Sequence, residues 1–280
     1  MGFLYLFISI FGESTGKTID KLNFRRNRIA AQQLQLLEFF AMSVALALFV
    51  FLTHQSFPHF TLVALGLAAL IAVVSFGSNV FDVLSLKADD LSLREPLLDF
   101  QPVVAGLIGY AVFPGERKPG FLLAFVLGGM IVYWGSHRRK LRRLQAKGMY
   151  YLLLAVCFEA LLPSIYKVTL HHLSPSYIAA IRSMSVLVLS GLFFPAKNLR
   201  RLSAKKLNYS LLGGVVYAVG AVASLYAIQA LGVVLTMLLM LLGPFLRYLS
   251  GYFILKENVR TGEIISSFLL ALVVLIPIFK

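Results

Sequence analysis

The sequence predicts an all-α, polytopic membrane protein: ten transmembrane helices arranged as two inverted five-helix repeats. Three observations carry this. Apolar residues make up 59% of the 280-residue chain and charged residues 14%, at a mean hydropathy of +0.83. Soluble domains run nearer ~45–50% apolar and ~25% charged. The apolar residues gather into stretches of the ~20 residues a helix needs to cross a bilayer. The chain also repeats itself. Gln101-Pro-Val-Val-Ala-Gly-Leu-Ile-Gly-Tyr110 returns as Gly243-Pro-Phe-Leu-Arg-Tyr-Leu-Ser-Gly-Tyr252, matching Pro102 with Pro244, Gly109 with Gly251 and Tyr110 with Tyr252 at one offset. A carboxylate follows each copy, Glu116 and Glu257.

The predicted spans run in order Gly2–Leu22, Ile29–Leu52, Leu62–Leu86, Asp90–Phe113, Phe121–Ser136, Met149–His171, Ser176–Phe194, Tyr209–Leu231, Gly232–Lys256 and Gly262–Phe279. The fifth is short. The first is weak by hydropathy, because Glu13, Ser14, Thr15, Lys17, Thr18, Asp20 and Lys21 crowd its second half. The repeat supports it: Glu13 and Lys21 are spaced as Glu159 and Lys167 are in the sixth span, and Ile29-Ala-Ala31 echoes Ile178-Ala-Ala180. Spans one to five thus recur as six to ten. Five is odd, so the second copy enters the membrane from the opposite side, a construction common in secondary transporters. The expected division is a first repeat over residues 1–136, a basic loop over 137–148 and a second repeat over 149–280.

A net charge of +14 would suit a nucleic-acid partner, but none is expected. The basic residues stand in short runs between apolar spans, which is how membrane topology is written. The loops after spans one, three, five, seven and nine hold most of them, among them Arg25, Arg26, Arg28, Arg138, Arg139 and Lys140. The positive-inside rule puts that side in the cytoplasm and both termini outside. The expected location is the cell (inner or plasma) membrane. Lone Cys157 excludes an intramolecular disulfide and a cysteine metal cluster. The five histidines show no metal spacing, and no cofactor is expected. The N-terminus carries neither the basic region nor the cleavage site of a signal peptide.

Gly12-Glu-Ser-Thr-Gly-Lys-Thr18 is close to a phosphate-binding loop, but three residues rather than four separate its glycines. No strand–loop–helix context follows, so it reads as coincidence on a membrane helix. Gly128–Gly129 and Gly213–Gly214, with Ala64, Ala68 and Ala69, read as close helix contacts, since membrane helices pack through small residues.

With these elements placed, the order of spans resembles the drug/metabolite transporter superfamily, EamA type. The resemblance rests on Leu173-Ser-Pro-Ser-Tyr-Ile-Ala-Ala-Ile-Arg182 before and into the seventh span, and on the Pro-to-Glu unit closing the fourth and ninth. The second half matches better. In the first half Gln32 or Gln33 stands in place of Arg182, and Arg94, Glu95, Pro96 and Asp99 stand where the ninth span has Thr236, Met237, Leu238 and Leu241. Members of the superfamily include exporters of amino acids and metabolites and carriers of nucleotide sugars, so the resemblance implies transport and names no substrate.

Ionisable residues inside spans are the informative ones, because a charge at mid-bilayer costs ~2.5–3.5 kcal/mol on insertion scales. Glu13, Lys17, Asp82, Glu159 and Arg247 are the most central, with Asp99 part-way in, near Pro96 and Pro102. Two prolines so close leave carbonyls without helical partners, as in a kinked helix that lines a cavity. Ser75, Asn79 and Asp82 share one face of the third span, and Ser224 and Tyr226 hold the repeat-equivalent positions of Asn79 and Phe81. The candidate substrate-binding cavity is therefore Glu13, Lys17, Asn79, Asp82, Asp99, Gln101, Glu159, Ser224, Tyr226 and Arg247. Some of these serve equally well as structural ion pairs. Arg247 is expected to face the cavity and meet Glu13, Asp82, Asp99 or an anionic substrate group. Lys21 and Lys167, near span ends, can snorkel to the interface.

The function expected is secondary transport of a small polar or amphipathic metabolite by alternating access, with protons as a coupling ion. Glu13 and Glu159 form the heart of the expected site. Burial disfavours a charged carboxyl, so a carboxyl held near neutrality can exchange a proton. Lys17 is one turn from Glu13, whereas Glu159 has Pro163 at that spacing and no such cation. Glu159 is then the better proton carrier and Glu13 the better ion-pair partner. Two rivals remain: a flippase for a lipid-linked head group and a non-transporting membrane scaffold. No catalytic motif points to an enzyme.

Overall fold

Helices form where the apolar spans lie. In the computed structural model they are α1 (Gly2–Leu22), α2 (Ala31–Leu52), α3 (Leu62–Ala88), α4 (Gln101–Val112), α5 (Pro119–Ser136), α6 (Ala146–Thr169), α7 (Pro175–Phe193), α8 (Ala204–Leu231), α9 (Val233–Met240) and α10 (Thr261–Leu275). A 3-10 turn occupies Pro114–Glu116, and no strand occurs among the described residues. The structure describes residues 1–24, 29–55, 57–58, 60–88, 97–136, 146–193, 202–246 and 261–275. Most of the basic runs that set the expected orientation, together with Glu257 and Arg247, lie outside the described residues.

Five helices, α2, α3, α6, α7 and α8, are long and apolar enough to cross a membrane. α1 has the length, at 21 residues, but Glu13, Lys17, Asp20 and Lys21 lower its hydropathy and it is not among the five. α4, α5 and α9 are apolar but shorter. The expected fourth and ninth spans are thus described in part. Pro102 is the second residue of α4, and Pro244 is the second residue of the helical turn 243–246 that follows α9. Both repeated prolines therefore start a helical piece, where the missing N–H removes no helical hydrogen bond.

α1 packs chiefly on α8 and α3 on α6; α2 lies against α7 and α8, α4 against α6 and α9, and α5 against α10. The α1–α8 contact explains the glycines of the phosphate-loop look-alike. A Cβ at Gly12 would stand 2.8 Å from Gly220 Cα, and one at Gly16 would stand 2.6 Å from the Tyr217 ring. These glycines let two helix backbones approach, the small-residue packing that membrane helices use. Gly214 plays the same part against α2: a Cβ there would meet the Glu38 carbonyl oxygen at 2.3 Å. Inside the bundle Leu6, Ile10, Leu46, Ile71, Leu162, Ile178 and Leu238 are fully buried. Outside, large apolar side chains such as Phe51, Leu62, Val73 and Leu192 are exposed, as a lipid-facing surface requires.

Candidate functional site

A cavity of about 370 Å³ lies among α1, α2, α3, α6 and α8, with Gln101 and Pro102 of α4, Arg182 of α7 and Met237 and Met240 of α9 also reaching it. Seven of the sequence-derived candidates line it: Glu13, Lys17, Asn79, Asp82, Gln101, Glu159 and Ser224. Two do not. Asp99 is buried, 5% exposed, in the turn ahead of α4. Tyr226 stacks on Tyr5 with ring centroids 5.0 Å apart. Ser224 and Tyr226 are two positions apart, about 200° round a helix, so a cavity that takes one is turned away from the other. Arg247 lies outside the described residues.

Two ion pairs stand on the cavity wall. Lys17 Nζ is 2.5 Å from Glu13 Oε1, one turn along α1. Arg182 Nη2 is 2.6 Å from Glu159 Oε1, and the Ser78 hydroxyl donates to Glu159 Oε2 at 2.9 Å. Glu159 has no cation on its own helix, but α7 supplies one, so both carboxylates are ion-paired. Asn79 donates its amide to the Ser75 carbonyl at 2.7 Å, one turn back on α3. Ser75 itself is fully buried behind it.

Sequence reasoning passed over a third polar group. Asp20 of α1 and Glu38 of α2 line the cavity with their carboxyls in mutual hydrogen-bond contact. The Tyr217 hydroxyl of α8 donates to Asp20 Oδ2 at 2.7 Å. The Gly16 contact with the Tyr217 ring sets that hydroxyl one turn along α1, beside Asp20. Glu38 was legible: it is the one charge in the 22 residues of α2. Arg182 was legible as part of the signature, and the distance from one helix to the next hid its partner.

One end of the cavity lies toward the end of α6, where charged contacts gather. Lys167, near the end of its span, pairs with Glu116 and lies over the Phe113 ring at 4.4 Å. Glu116 also accepts from the Val233 and Val234 amides at 3.3 and 2.8 Å, capping the N-terminus of α9, where a carboxylate suits the helix dipole. Gly232, with φ +83°, takes the chain into that cap. Gln55 bridges the start of α7 by accepting from Ser174 and donating to Ser176 at 3.0 and 3.1 Å. Lys21 is buried, at 9% exposed. At the opposite end the lining residues are Phe24, Ala31, Leu86 and Leu98, from the ends of α1, α2 and α3 and the turn before α4.

Spanning helices around a charged internal cavity define an integral, multi-pass membrane protein. Residues 146–279, just under half of the chain, match the EamA-like transporter family. The resemblance to EamA-type drug/metabolite transporters is borne out over those residues, and that family suggests a membrane transporter in the general sense. No curated protein matches the sequence. Among 28 solved chains that match, one protein crystal structure superposes at a TM-score of 0.77 over 97% of this chain and 97% of its own, at 13% identity. At that identity the likeness shows the fold alone.

Proposed function

We propose that the protein is a secondary transporter in which two inverted five-helix repeats rock about the central cavity, moving a small polar or amphipathic metabolite. The observation that carries this reading is a polar cavity lined from both halves, by Glu13, Lys17 and Asp82 on one side and Glu159, Arg182 and Ser224 on the other. The packing supports the two-fold relation. α1 on α8 and α6 on α3 are the two most extensive contacts, and an exchange of helices one to five with six to ten maps one onto the other. The Lys167–Glu116 tie closes one end, so the conformation described is accessible from the side of the loops after α1 and α3. The charge pattern makes that side cytoplasmic. Protons are the proposed coupling ion.

Flux into proteoliposomes of the purified protein tests the reading, with a metabolite panel screened under an imposed pH gradient. Solute movement that needs the protein and responds to the gradient is expected. Protein-free rates across the whole panel would overturn transport. Movement of a lipid head group alone would favour the flippase.

A further inference from the structure

The carboxyls of Asp20 and Glu38 are in contact, and two carboxylates so placed repel, with no proton to share. The contact is favourable when the two share one proton. Tyr217 satisfies Asp20 Oδ2. Asp20 Oδ1 and Glu38 Oε1 are buried and, apart from the proton the pair shares, accept from no donor. A third acceptor joins them independently. Gln35, one turn before Glu38 on the same face of α2, is 8% exposed and lines the same cavity, and its Oε1 is likewise buried with no donor. Buried polar atoms in folded proteins are nearly always hydrogen-bonded. Three acceptors from two helices line one cavity with at most the one shared proton among them, and they point to a ligand that brings the donors.

The charge of the wall agrees. Glu13, Asp20, Glu38, Asp82 and Glu159 face it against Lys17 and Arg182 among the described lining residues. Both cations are engaged by glutamates. A protonated primary amine carries one positive charge and three N–H donors, as the lysine ammonium does. Leu34, Phe39 and Met42 border the pair on the cavity wall and suit an apolar tail.

We propose that Asp20, Glu38 and Gln35 bind the ammonium group of an amphipathic primary amine, and that the amine and the pair's proton exclude one another. The exchange balances: the ammonium enters with its charge and the shared proton leaves to solvent. The groups facing the pair are Lys17 on α1, Asp82 on α3 and Tyr217 on α8, with Glu13 acting on Tyr217. The inference rests on the carrier reading and names its substrate class.

The test is calorimetric titration of the purified full chain with phenethylamine, tyramine and hexylamine, against phenylacetate and 2-phenylethanol. Two buffers of different ionisation enthalpy count the protons released. The amines are expected to bind, releasing about one proton each, with affinity falling about tenfold per unit of pH lowered while the pair is protonated. Phenylacetate and 2-phenylethanol are expected not to bind. Glu38→Gln is expected to abolish the release, and Gln35→Leu to weaken amine binding while keeping it. If Glu38→Gln does not fold, the wild-type titrations decide alone. Failure of all three amines to bind, binding without proton release, or equal binding of phenylacetate would overturn the proposal. If another class of solute crosses proteoliposomes while no amine binds, this inference falls and the carrier reading stands. If amines bind with proton release and nothing crosses, the site stands and the carrier reading falls.

Discussion

Removing either member of the Arg182–Glu159 pair is expected to cost nearly as much stability as removing both. The guanidinium stands 2.6 Å from the carboxylate, and the two side chains are 21% and 27% exposed. That places the pair between exposed pairs, which contribute at most ~1 kcal/mol, and fully buried ones, whose breaking costs ~3–5 kcal/mol. Arg182→Leu leaves the Glu159 carboxylate with the Ser78 hydroxyl at 2.9 Å, and about 2–3 kcal/mol should be lost. Glu159→Gln keeps the shape and leaves the guanidinium without its countercharge, for a loss of about 2 kcal/mol. The double variant has no stranded charge, so the coupling between the two sites should be about 2 kcal/mol. Equilibrium unfolding of the four proteins in mixed micelles measures it. Single losses that add to within ~0.5 kcal/mol would show that the two groups do not act as a pair.

Gly16→Ala should destabilise by about 1–3 kcal/mol and displace the Tyr217 ring, because its Cβ would stand 2.6 Å from that ring; adding Tyr217→Phe should then cost little more, which the same unfolding assay reads. Gly232→Ala should lose about 1–2 kcal/mol or more, since φ is +83° and the new Cβ would stand within 2.9 Å of three Glu116 carboxyl atoms; unchanged unfolding would refute the cap. A C-terminal fluorescent–phosphatase reporter should show phosphatase activity without fluorescence if the charge pattern sets the orientation.

The helices were readable because ~20 apolar residues in a row leave few alternatives, and the first of them was readable only through the repeat. Glu13 and Lys21 in the spacing of Glu159 and Lys167 gave α1 a partner that its own hydropathy did not. Seven cavity residues were readable because charge and amide groups inside apolar spans have few places to go. Pairing was less readable. Lys17 with Glu13 follows a rule of helix geometry, but Arg182 reaches Glu159 across 23 positions by the way α6 meets α7. Tyr217 reaches Asp20 across 197 because Gly12 and Gly16 set the approach of α1 to α8. The same two glycines drew attention as part of a phosphate loop, when their spacing of four is that of one helix face.

The distribution of these contacts bears on how rocking halves could move at modest cost. Lys17 and Glu13 share α1, Arg182 and Glu159 belong to α6 and α7, and Asp20, Glu38 and Gln35 belong to α1 and α2. These charged contacts at the cavity each lie within one proposed repeat and, in the proposed rocking, travel with it. Contacts that cross between repeats at cavity level include hydroxyl bonds, Tyr217 to Asp20 and Ser78 to Glu159, worth about 1–3 kcal/mol apiece. A charged contact that does cross is Lys167 with Glu116, at the closed end, where Glu116 also holds the start of α9. In the proposed rocking, opening that end breaks an ion pair and uncaps a helix together, while the cavity pairs stay intact. In the proposed cycle the barrier to alternation then sits at that contact, the gate, and the binding surface stays formed in both states. Weakening the gate with Glu116→Gln should shift the population toward the opposite opening without loss of ligand affinity at the cavity.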